Sequence, residues 1–342
     1  MTISILRRAL LPAALVAALT LAACGSGDPL AGTDADGAGE ASAPAADPSD
    51  PDPAASTGTD TAGGSGTIVV GGANFTEMQV MEQMYGALLT EAGYEVEIVA
   101  SDSREIYGQA LIDGDIDVVP EYAATLTEFL NREANGAEAA VVATNDVAET
   151  VAALQPLAEQ NGLVVGEPAE ASSQNGFAVL EALATDNDLA TLSDLATFQP
   201  AIVLAATEEC PTRPFCQIGL EQTYGFDVTE VLPLRYGSPQ AKQAVVDGEA
   251  DMVLVGTTDA TLGADGLVLL ADDKGVQLAD NLIPVFNAAA AEDTVLLDTL
   301  NALADVLTTE DLAELNRRVD VDRELPADVA TSYLVEKGLI DG

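Results

Sequence analysis

The sequence predicts an α/β protein built from two lobes. From residue 67 onward, short apolar runs alternate with amphipathic stretches, a pattern typical of a mostly parallel sheet with helical crossovers. One phrase also occurs twice in nearly the same form, as QALIDGDIDVV at 109–119 and as QAVVDGEADMV at 243–253. Each copy has the form of a helix end, a glycine stop and a strand start, so we expect one copy in each lobe.

The first lobe is predicted to comprise 67–172 and 288–342. Its first strand is an apolar run, the helix after it is stopped by Gly93, and alternating residues then predict a second strand. In 67–172 we expect strands at 67–73, 94–100, 116–119 and 163–165, and helices at 76–92, 103–112 and 146–160.

The second lobe is predicted at 173–287, where the same alternation starts again. We expect strands at 177–180, 201–205 and 251–255, and helices at 192–197, 214–224 and 239–246. The final stretch, 293–337, is predicted to be helical throughout and to pack back on the first lobe. Its apolar face has helical spacing and consists of Leu296, Leu300, Leu303 and Leu307.

The N-terminal part has the composition of a targeting segment followed by a tether. Residues 1–23 carry Arg7 and Arg8 before an apolar run too short to span a bilayer stably, which is typical of a secretory signal peptide. The letters LAAC that end at Cys24 resemble the lipobox of bacterial lipoproteins, in which this cysteine is lipidated. An ordinary signal peptide or an uncleaved anchor is the alternative. Residues 24–66 are rich in small and acidic residues and are expected to be a disordered tether on the extracytoplasmic face of the cell membrane.

Charge and composition exclude several classes of function. The formal net charge is −45, which repels nucleic acid and attracts cationic solutes, although such acidity also simply keeps a protein solvated in salt. The chain has no histidine, so imidazole-activated nucleophiles and most zinc sites are excluded. Asp113, Asp115 and Asp117 imitate the start of a calcium loop, but the required glycine and the final glutamate are missing. We therefore expect neither an enzyme nor a cofactor or metal.

The repeated phrases indicate where a ligand would bind. In open α/β sheets, ligands bind outside the carboxyl ends of the strands. The two phrases direct the loops at 120–125 and 256–259 toward one expected cleft between the lobes. A chance match is the alternative, because helix, glycine and strand is a common order of elements.

Aromatic residues make up only 4% of the chain, yet several lie near the expected cleft. Tyr122 and Phe177 are at junctions between loops and strands, Phe286 follows a proline near the return to the first lobe, and Tyr107 and Tyr236 precede the two phrases. Rings around an ammonium group attract it, which favours a cationic ligand. For each ring taken alone, an ordinary place in the core is the alternative.

Cys210 and Cys216 remain as a pair once Cys24 is assigned to the lipid. In an exported protein, an even number of cysteines at short spacing predicts a disulfide.

Several short motifs then give the chain a family resemblance that covers essentially all of 67–342. The chain resembles the osmoprotectant (glycine betaine/choline) substrate-binding proteins of ABC transporters. The motifs, in order, are Asn74-Phe75-Thr76-Glu77, Gly114-Asp115-Ile116-Asp117, Pro120-Glu121-Tyr122 with Thr125, Arg213-Pro214, Tyr224-Gly225, Thr258-Asp259 and Asp272-Asp273-Lys274.

The resemblance implies a two-lobed periplasmic-binding-protein fold, type II-like, with a ligand cleft between the lobes. It implies a quaternary ammonium group held by a box of rings, with Tyr122 in the box and with Thr125 and Arg213 on the carboxylate of betaine. Phe177 and Phe286 stand where the family usually has tyrosine. The full predicted ligand set is Tyr107, Tyr122, Thr125, Asn175, Phe177, Arg213, Tyr236, Gly256 and Phe286.

This chain departs from the family at two positions. Ala73 stands where the family commonly has a lysine, and Gly256 stands where a box tyrosine is usual, so Tyr107 or Tyr236 would have to refill the box. The stretch 275–282 is also longer than the family usually has. The implied partners are a small cationic or zwitterionic solute and an ABC permease with its cytoplasmic ATPase, with the protein as a monomer. The alternatives are an amino acid or polyamine receptor and, more remotely, a surface hydrolase with two carboxylates.

Overall fold

The computed structural model of the protein describes residues 64–342, and the predicted signal peptide, Cys24 and most of the tether lie outside the described residues. Within that range the chain forms two five-stranded sheets, one in each lobe. The first lobe begins with β1 (Thr67–Ala73), α1 (Thr76–Glu91), β2 (Glu95–Ser101), α2 (Arg104–Asp113), β3 (Val118–Tyr122), α3 (Ala123–Asn135), α4 (Val147–Gln160) and β4 (Leu163–Val165).

The second lobe follows a crossover segment and is built in the same way. Its strands and helices are β5 (Asn175–Leu180), α5 (Glu181–Asp186), α6 (Leu192–Phe198), β6 (Ala201–Ala206), β7 (Asp227–Pro233), α7 (Pro239–Val246), β8 (Met252–Gly256) and β9 (Leu267–Leu270). Between β6 and β7 the chain makes short helical turns at Cys210–Thr212, Pro214–Ile218 and Leu220–Tyr224, where a single helix was predicted.

The chain then returns to the first lobe through β10 (Leu282–Asn287), α8 (Thr294–Ala304), α9 (Thr309–Asp320) and α10 (Pro326–Lys337). The predicted lobe boundary after residue 287 is therefore too late, because β10 pairs with β3 and β4 of the first sheet. The final stretch is three helices and not one. Thr308 caps α9 with its side chain, and Pro326, which has no amide proton to donate, begins α10.

The two sheets have the same strand order, β2-β1-β3-β10-β4 and β7-β6-β8-β5-β9. In each sheet the fourth strand is the one that arrives from the other lobe, and it runs antiparallel to its neighbours. The two crossover segments lie side by side and form a short antiparallel bridge at Ser172 and Asn281. The architecture is thus a mixed α/β fold of two sheets joined by two crossovers.

The repeated phrase occupies the same place in both lobes. Its glycines end α2 and α7 in the left-handed conformation, with φ of 81° and 75°. The aspartate before each strand then accepts a hydrogen bond from a neighbouring strand: Asp117 from the Val69 amide at 2.7 Å and Asp251 from the Val203 amide at 2.8 Å. The repeat therefore has the same structural role in both lobes. Its aspartates connect neighbouring strands at the end of each sheet that is remote from the cleft.

Helix α1 is covered on all sides, because the first sheet lies on one face and α8 to α10 lie on the other. Its Glu82 is only 2% exposed, and within residues 64–342 its Oε1 has no hydrogen-bond partner. Burial raises the pKa of Glu82 from 4.5 to about 8. The folded state therefore holds this proton at pH values where the unfolded chain has released it.

Glu82→Gln is expected to remove a pH-dependent loss of stability. A carboxyl whose pKa is higher in the folded state destabilises that state progressively as pH rises from the unfolded to the folded pKa. Relative to wild type, the variant should gain on the order of 4 kcal/mol in free energy of unfolding between pH 4 and pH 9, since each pKa unit corresponds to about 1.4 kcal/mol. Urea unfolding at both pH values measures this gain. The exposed Glu91→Gln on the same helix is the control, and an equal difference at both pH values for Glu82→Gln would contradict the assignment.

Candidate functional site

The ends of β3 and β8 meet at a buried carboxylate. Glu77, in the first turn of α1, is 5% exposed and accepts hydrogen bonds from three side chains. The donors are the Tyr122 hydroxyl at 2.7 Å, the Thr258 hydroxyl at 2.5 Å and the Asn316 amide at 2.8 Å. Since Thr258 belongs to the second lobe and the others to the first, Glu77 links the lobes. The prediction that the strand ends of both phrases approach one cleft is confirmed.

A cavity of about 120 Å³ lies beside this link, between the lobes. Its aromatic lining consists of Phe75, Tyr107, Tyr122 and Tyr236. The ring centroids of Phe75 and Tyr122 are 6.5 Å apart, and those of Phe75 and Tyr236 are 5.0 Å apart. Burial, and then the nearby Glu77 carboxylate, raises the pKa of Tyr122 and of Tyr236 well above the ordinary value, so both rings stay neutral.

The wall of the cavity formed by α2 contains a buried ion pair that the sequence did not indicate. Arg104 is 7% exposed and donates from Nε and Nη2 to the two oxygens of Glu121, at 2.8 and 2.7 Å. Tyr107 donates its hydroxyl proton to the same carboxylate at 2.8 Å. Burial alone would lower the pKa of Arg104, but the charge of Glu121 raises it well above its usual range. The pair fixes the Tyr107 ring by its hydroxyl.

Thr125 and Asp280 close the inner end of the cavity. The Thr125 hydroxyl accepts from Arg104 at 2.9 Å, and its amide donates to Oδ1 of Asp280 at 2.9 Å. Asp280 lies in the second crossover segment and is 4% exposed. Burial raises its pKa to about 7, although the amides of Thr125 and Ala124 and the charge of Arg104 act in the opposite direction.

Arg213 stands at the mouth of the same cavity. It follows the turn at Cys210–Thr212, inside the loop closed by the disulfide between Cys210 and Cys216. Its Nη2 donates to Oε1 of Glu105 at 2.7 Å, and both side chains are partly exposed. This ion pair joins the second lobe to α2 of the first.

Gly256 lies at the edge of a second, more polar space of about 520 Å³ that adjoins the aromatic cavity. Both spaces are lined by Phe75, Ser173 and Tyr236. A Cβ placed on Gly256 would lie 3.3 Å from the Tyr236 hydroxyl, which is tighter than ordinary contact. The Tyr236 hydroxyl therefore lies next to the space that a side chain at 256 would fill.

The nine predicted ligand residues separate into two groups in the structure. The aromatic cavity is lined by Tyr107, Tyr122, Thr125, Asn175, Arg213 and Tyr236, and Gly256 lines the adjoining space. Phe177 and Phe286 line neither, and both are fully buried in the cores of their own lobes, at 1% and 0% exposure. Their predicted place in the cleft is wrong.

The bounds of β5 and the presence of β10 explain both errors. β5 is antiparallel to β8, so the end of β5 at the cleft is Asn175, which is paired with Gly256. At about 3.4 Å per residue, Phe177 lies roughly 7 Å farther from the cleft. β10 is antiparallel to β3, with Leu282 opposite Tyr122 at the cleft and Phe286 opposite Val118 at the far end. Phe177 was predicted to begin its strand, which in the structure begins two residues earlier at Asn175, and no strand was predicted around Phe286.

Sequence reasoning also missed Phe75, Arg104 and Asp280, and it took the start of α3 for a loop. The sequence did mark Phe75 as a possible site residue, because it belongs to the motif at 74–77 that carries the family resemblance. Nothing in the local sequence marked Arg104 or Asp280, since their partners are far away in sequence. The strand β10 was not predicted; it contains Pro284, and proline is rare inside a sheet.

Comparison with known proteins shows the family to which the chain belongs. The profile of the family described as the substrate binding domain of the ABC-type glycine betaine transport system matches residues 66–336. The chain belongs to this family. It is similar to the glycine-betaine-binding protein of Pseudomonas aeruginosa, with 25% identity over 285 residues that cover 80% of this chain and 89% of that protein. It is also similar to the glycine betaine-binding protein YehZ of Escherichia coli, with 28% identity over 239 residues, 67% of this chain and 76% of that one.

The fold agrees with this family. A crystal structure described as a glycine betaine/carnitine/choline ABC transporter superposes with a TM-score of 0.59 at 23% identity, covering 80% of this chain and all of that one. This ABC substrate-binding protein therefore has the predicted periplasmic-binding-protein fold, and its place is extracytoplasmic. Within residues 64–342, none of its helices is both long and apolar enough to cross a bilayer.

Proposed function

We propose that this substrate-binding protein captures a quaternary ammonium solute in the aromatic cavity between its lobes and delivers it to an ABC permease. The observation that carries the proposal is the cavity itself, in which Phe75, Tyr107, Tyr122 and Tyr236 surround about 120 Å³. A trimethylammonium group has no N–H to donate, so the attraction of ring faces for the cation replaces hydrogen bonding. Each ring contributes roughly 0.5 to 2 kcal/mol, and micromolar affinity corresponds to about 8 kcal/mol.

The hydrogen bonds of the tyrosine hydroxyls support the binding of a cation on the ring faces. Tyr107 and Tyr122 donate their hydroxyl protons to Glu121 and Glu77, at 2.8 and 2.7 Å. These bonds hold the rings in place before a ligand arrives, so less conformational entropy is lost on binding. Hydrogen bonding to a carboxylate also leaves each phenol ring electron-rich, which suits a cation.

Arg213 is the group proposed to hold the carboxylate of a zwitterionic solute such as glycine betaine. Its guanidinium uses Nη2 for Glu105 and has further N–H donors. Ala73 lines the cavity at the position where a lysine is usual in the family, so Arg213 would act without that second cation.

Calorimetric titration of the mature protein with glycine betaine, choline and carnitine tests the proposal. Glycine and putrescine are the controls, since they carry amino groups without methyl groups. We expect dissociation constants in the micromolar range for at least one methylated ligand, and at least tenfold weaker binding of both controls. Preference for putrescine would favour a polyamine receptor, and failure of all three methylated ligands to bind would refute the proposal.

The membrane attachment is a separate part of the proposal. We propose that 1–23 are removed as a lipoprotein signal peptide, that Cys24 carries the lipid, and that 24–66 tether a monomeric body to the cell membrane. The cysteine in the letters LAAC and the composition of the tether support it. Cys24→Ala should move the protein from the membrane fraction to the soluble exported fraction. Unchanged membrane association would contradict the lipid anchor.

A further inference from the structure

The charged groups around the aromatic cavity do not balance. Arg104 is neutralised by Glu121 at 2.7 Å, and Arg213 by Glu105 at 2.7 Å. Asp280 also lines the cavity, yet within residues 64–342 no lysine or arginine nitrogen lies within 4 Å of its carboxylate. The hydrogen bonds that it accepts come from neutral backbone amides, that of Thr125 at 2.9 Å and that of Ala124. Once ionised, Asp280 adds a buried negative charge that no cation of the described residues pairs with. It does so beside Glu77, whose three hydrogen-bond donors are neutral, while Glu209, which also lines the cavity without an ion pair, is partly exposed.

We propose that Asp280 is the specificity-determining residue of this site and that it selects a quaternary ammonium alcohol of net charge +1, such as choline, over a zwitterion such as glycine betaine. This inference rests on the proposed function and specifies its substrate class. A monocation supplies the one positive charge that the buried carboxylate lacks. A zwitterion brings no net charge, and its carboxylate would have to share Arg213 with Glu105, which already neutralises the guanidinium.

The position of Asp280 makes it suitable for this role. It is 4% exposed, and it lies in the crossover between the lobes, where the backbone carbonyl of Asp280 accepts from the Ser173 amide at 3.1 Å. A charge pair in such a dry place is attenuated far less by water and salt than a pair at the surface. The rings of Tyr122 and Tyr236 lie in the same cavity, so one cation can contact both the rings and the carboxylate.

The titration of Asp280 gives the proposal a pH signature. The ionisable groups that act on it are Arg104 and Glu121 on one wall, and its charge in turn acts on Tyr122 and Tyr236. With a pKa of about 7, Asp280 is ionised about tenfold less at pH 6 than at pH 8. A cation binds the ionised form better, so its affinity rises with pH through this range, and binding near pH 7 releases protons.

Titration calorimetry of the wild type and of Asp280→Asn with choline and glycine betaine, at pH 6 and pH 8, tests the proposal. Asparagine keeps an oxygen for the Thr125 amide and removes a buried charge, so we expect the variant to fold, which a thermal melt verifies. Asp298→Asn, an exposed residue on α8, is the matched control for the change in net charge.

For the wild type we expect tighter binding of choline than of glycine betaine at pH 8, and about tenfold weaker choline binding at pH 6. In Asp280→Asn the choline dissociation constant at pH 8 should rise at least tenfold, the glycine betaine constant should change less than threefold, and the pH dependence should disappear. Titrations at pH 7 in two buffers of different ionisation enthalpy should show proton release for the wild type and for Asp298→Asn only.

An unchanged choline constant in Asp280→Asn, or equal losses for choline and betaine, would overturn the role of Asp280 while leaving the proposed function intact. Absence of binding of every methylated ligand by the wild type would instead remove the proposed function itself.

Discussion

Tyr122→Ala is expected to weaken the binding of a quaternary ammonium solute at least tenfold. The substitution removes a ring that lines the cavity and faces Phe75 with an interplanar angle of 21°. It also removes one of the three donors to Glu77, so the link between the lobes is loosened at the same time. Calorimetric titration with the tightest ligand of the wild type measures the loss.

Two further variants separate these effects. Tyr122→Phe keeps the ring and removes only the hydroxyl, so the affinity should fall less than about threefold, while the free energy of unfolding should fall by about 1 to 3 kcal/mol because Glu77 loses a donor. Phe177→Leu changes a buried ring outside the cavity and should lower stability without changing affinity. If Tyr122→Ala binds as tightly as wild type, the cavity described above is not the ligand site.

Arg104→Met should lower the free energy of unfolding by about 3 to 5 kcal/mol, the usual cost of leaving a buried charge without its partner. The change removes two hydrogen bonds to Glu121 and one to Thr125. Urea unfolding at pH 7 measures the loss. Arg317→Met is the matched control, because its two partners, Glu314 and Asp322, are both exposed and each such pair is worth at most about 1 kcal/mol.

The double variant Arg104→Met/Glu121→Leu distinguishes an uncompensated charge from lost packing. Without the carboxylate there is no unpaired ion to bury, so much of the stability lost in the single variant should return. A double variant as unstable as the sum of its two single variants would contradict this explanation. Ligand affinity should still fall in the double variant, because Tyr107 loses the acceptor of its hydroxyl proton.

Much of the fold could be read from local sequence. The strands at 67–73 and 163–165 and the helix at 239–246 were predicted at the bounds that the structure shows, and most other predicted elements agree within two residues. Apolar periodicity, glycine stops and caps act over about ten residues, so they can be read without knowledge of the rest of the chain. The repeated phrase likewise gave the correct number of lobes.

The site was predictable only in part. Tyr107, Tyr122, Arg213 and Tyr236 were found because short motifs or ring positions close to the repeats marked them, and they do share one cavity. Phe177 and Phe286 also had rings at plausible places, but they belong to the two antiparallel strands and are buried in the cores. No local signal tells which way such a strand runs, because its direction is set by pairing with a distant strand.

Local patterns in the sequence were enough to predict the alternation of elements, the two lobes, the cysteine pair and the family to which the chain belongs. The three-dimensional arrangement was needed to show which rings meet, that Glu77 joins the lobes, and that Arg104 is neutralised while Asp280 is not. The difference lies in how far along the chain each kind of interaction reaches. Backbone propensity and capping depend on near neighbours, whereas burial, ion pairing and pKa depend on groups that the chain brings together from positions more than a hundred residues apart.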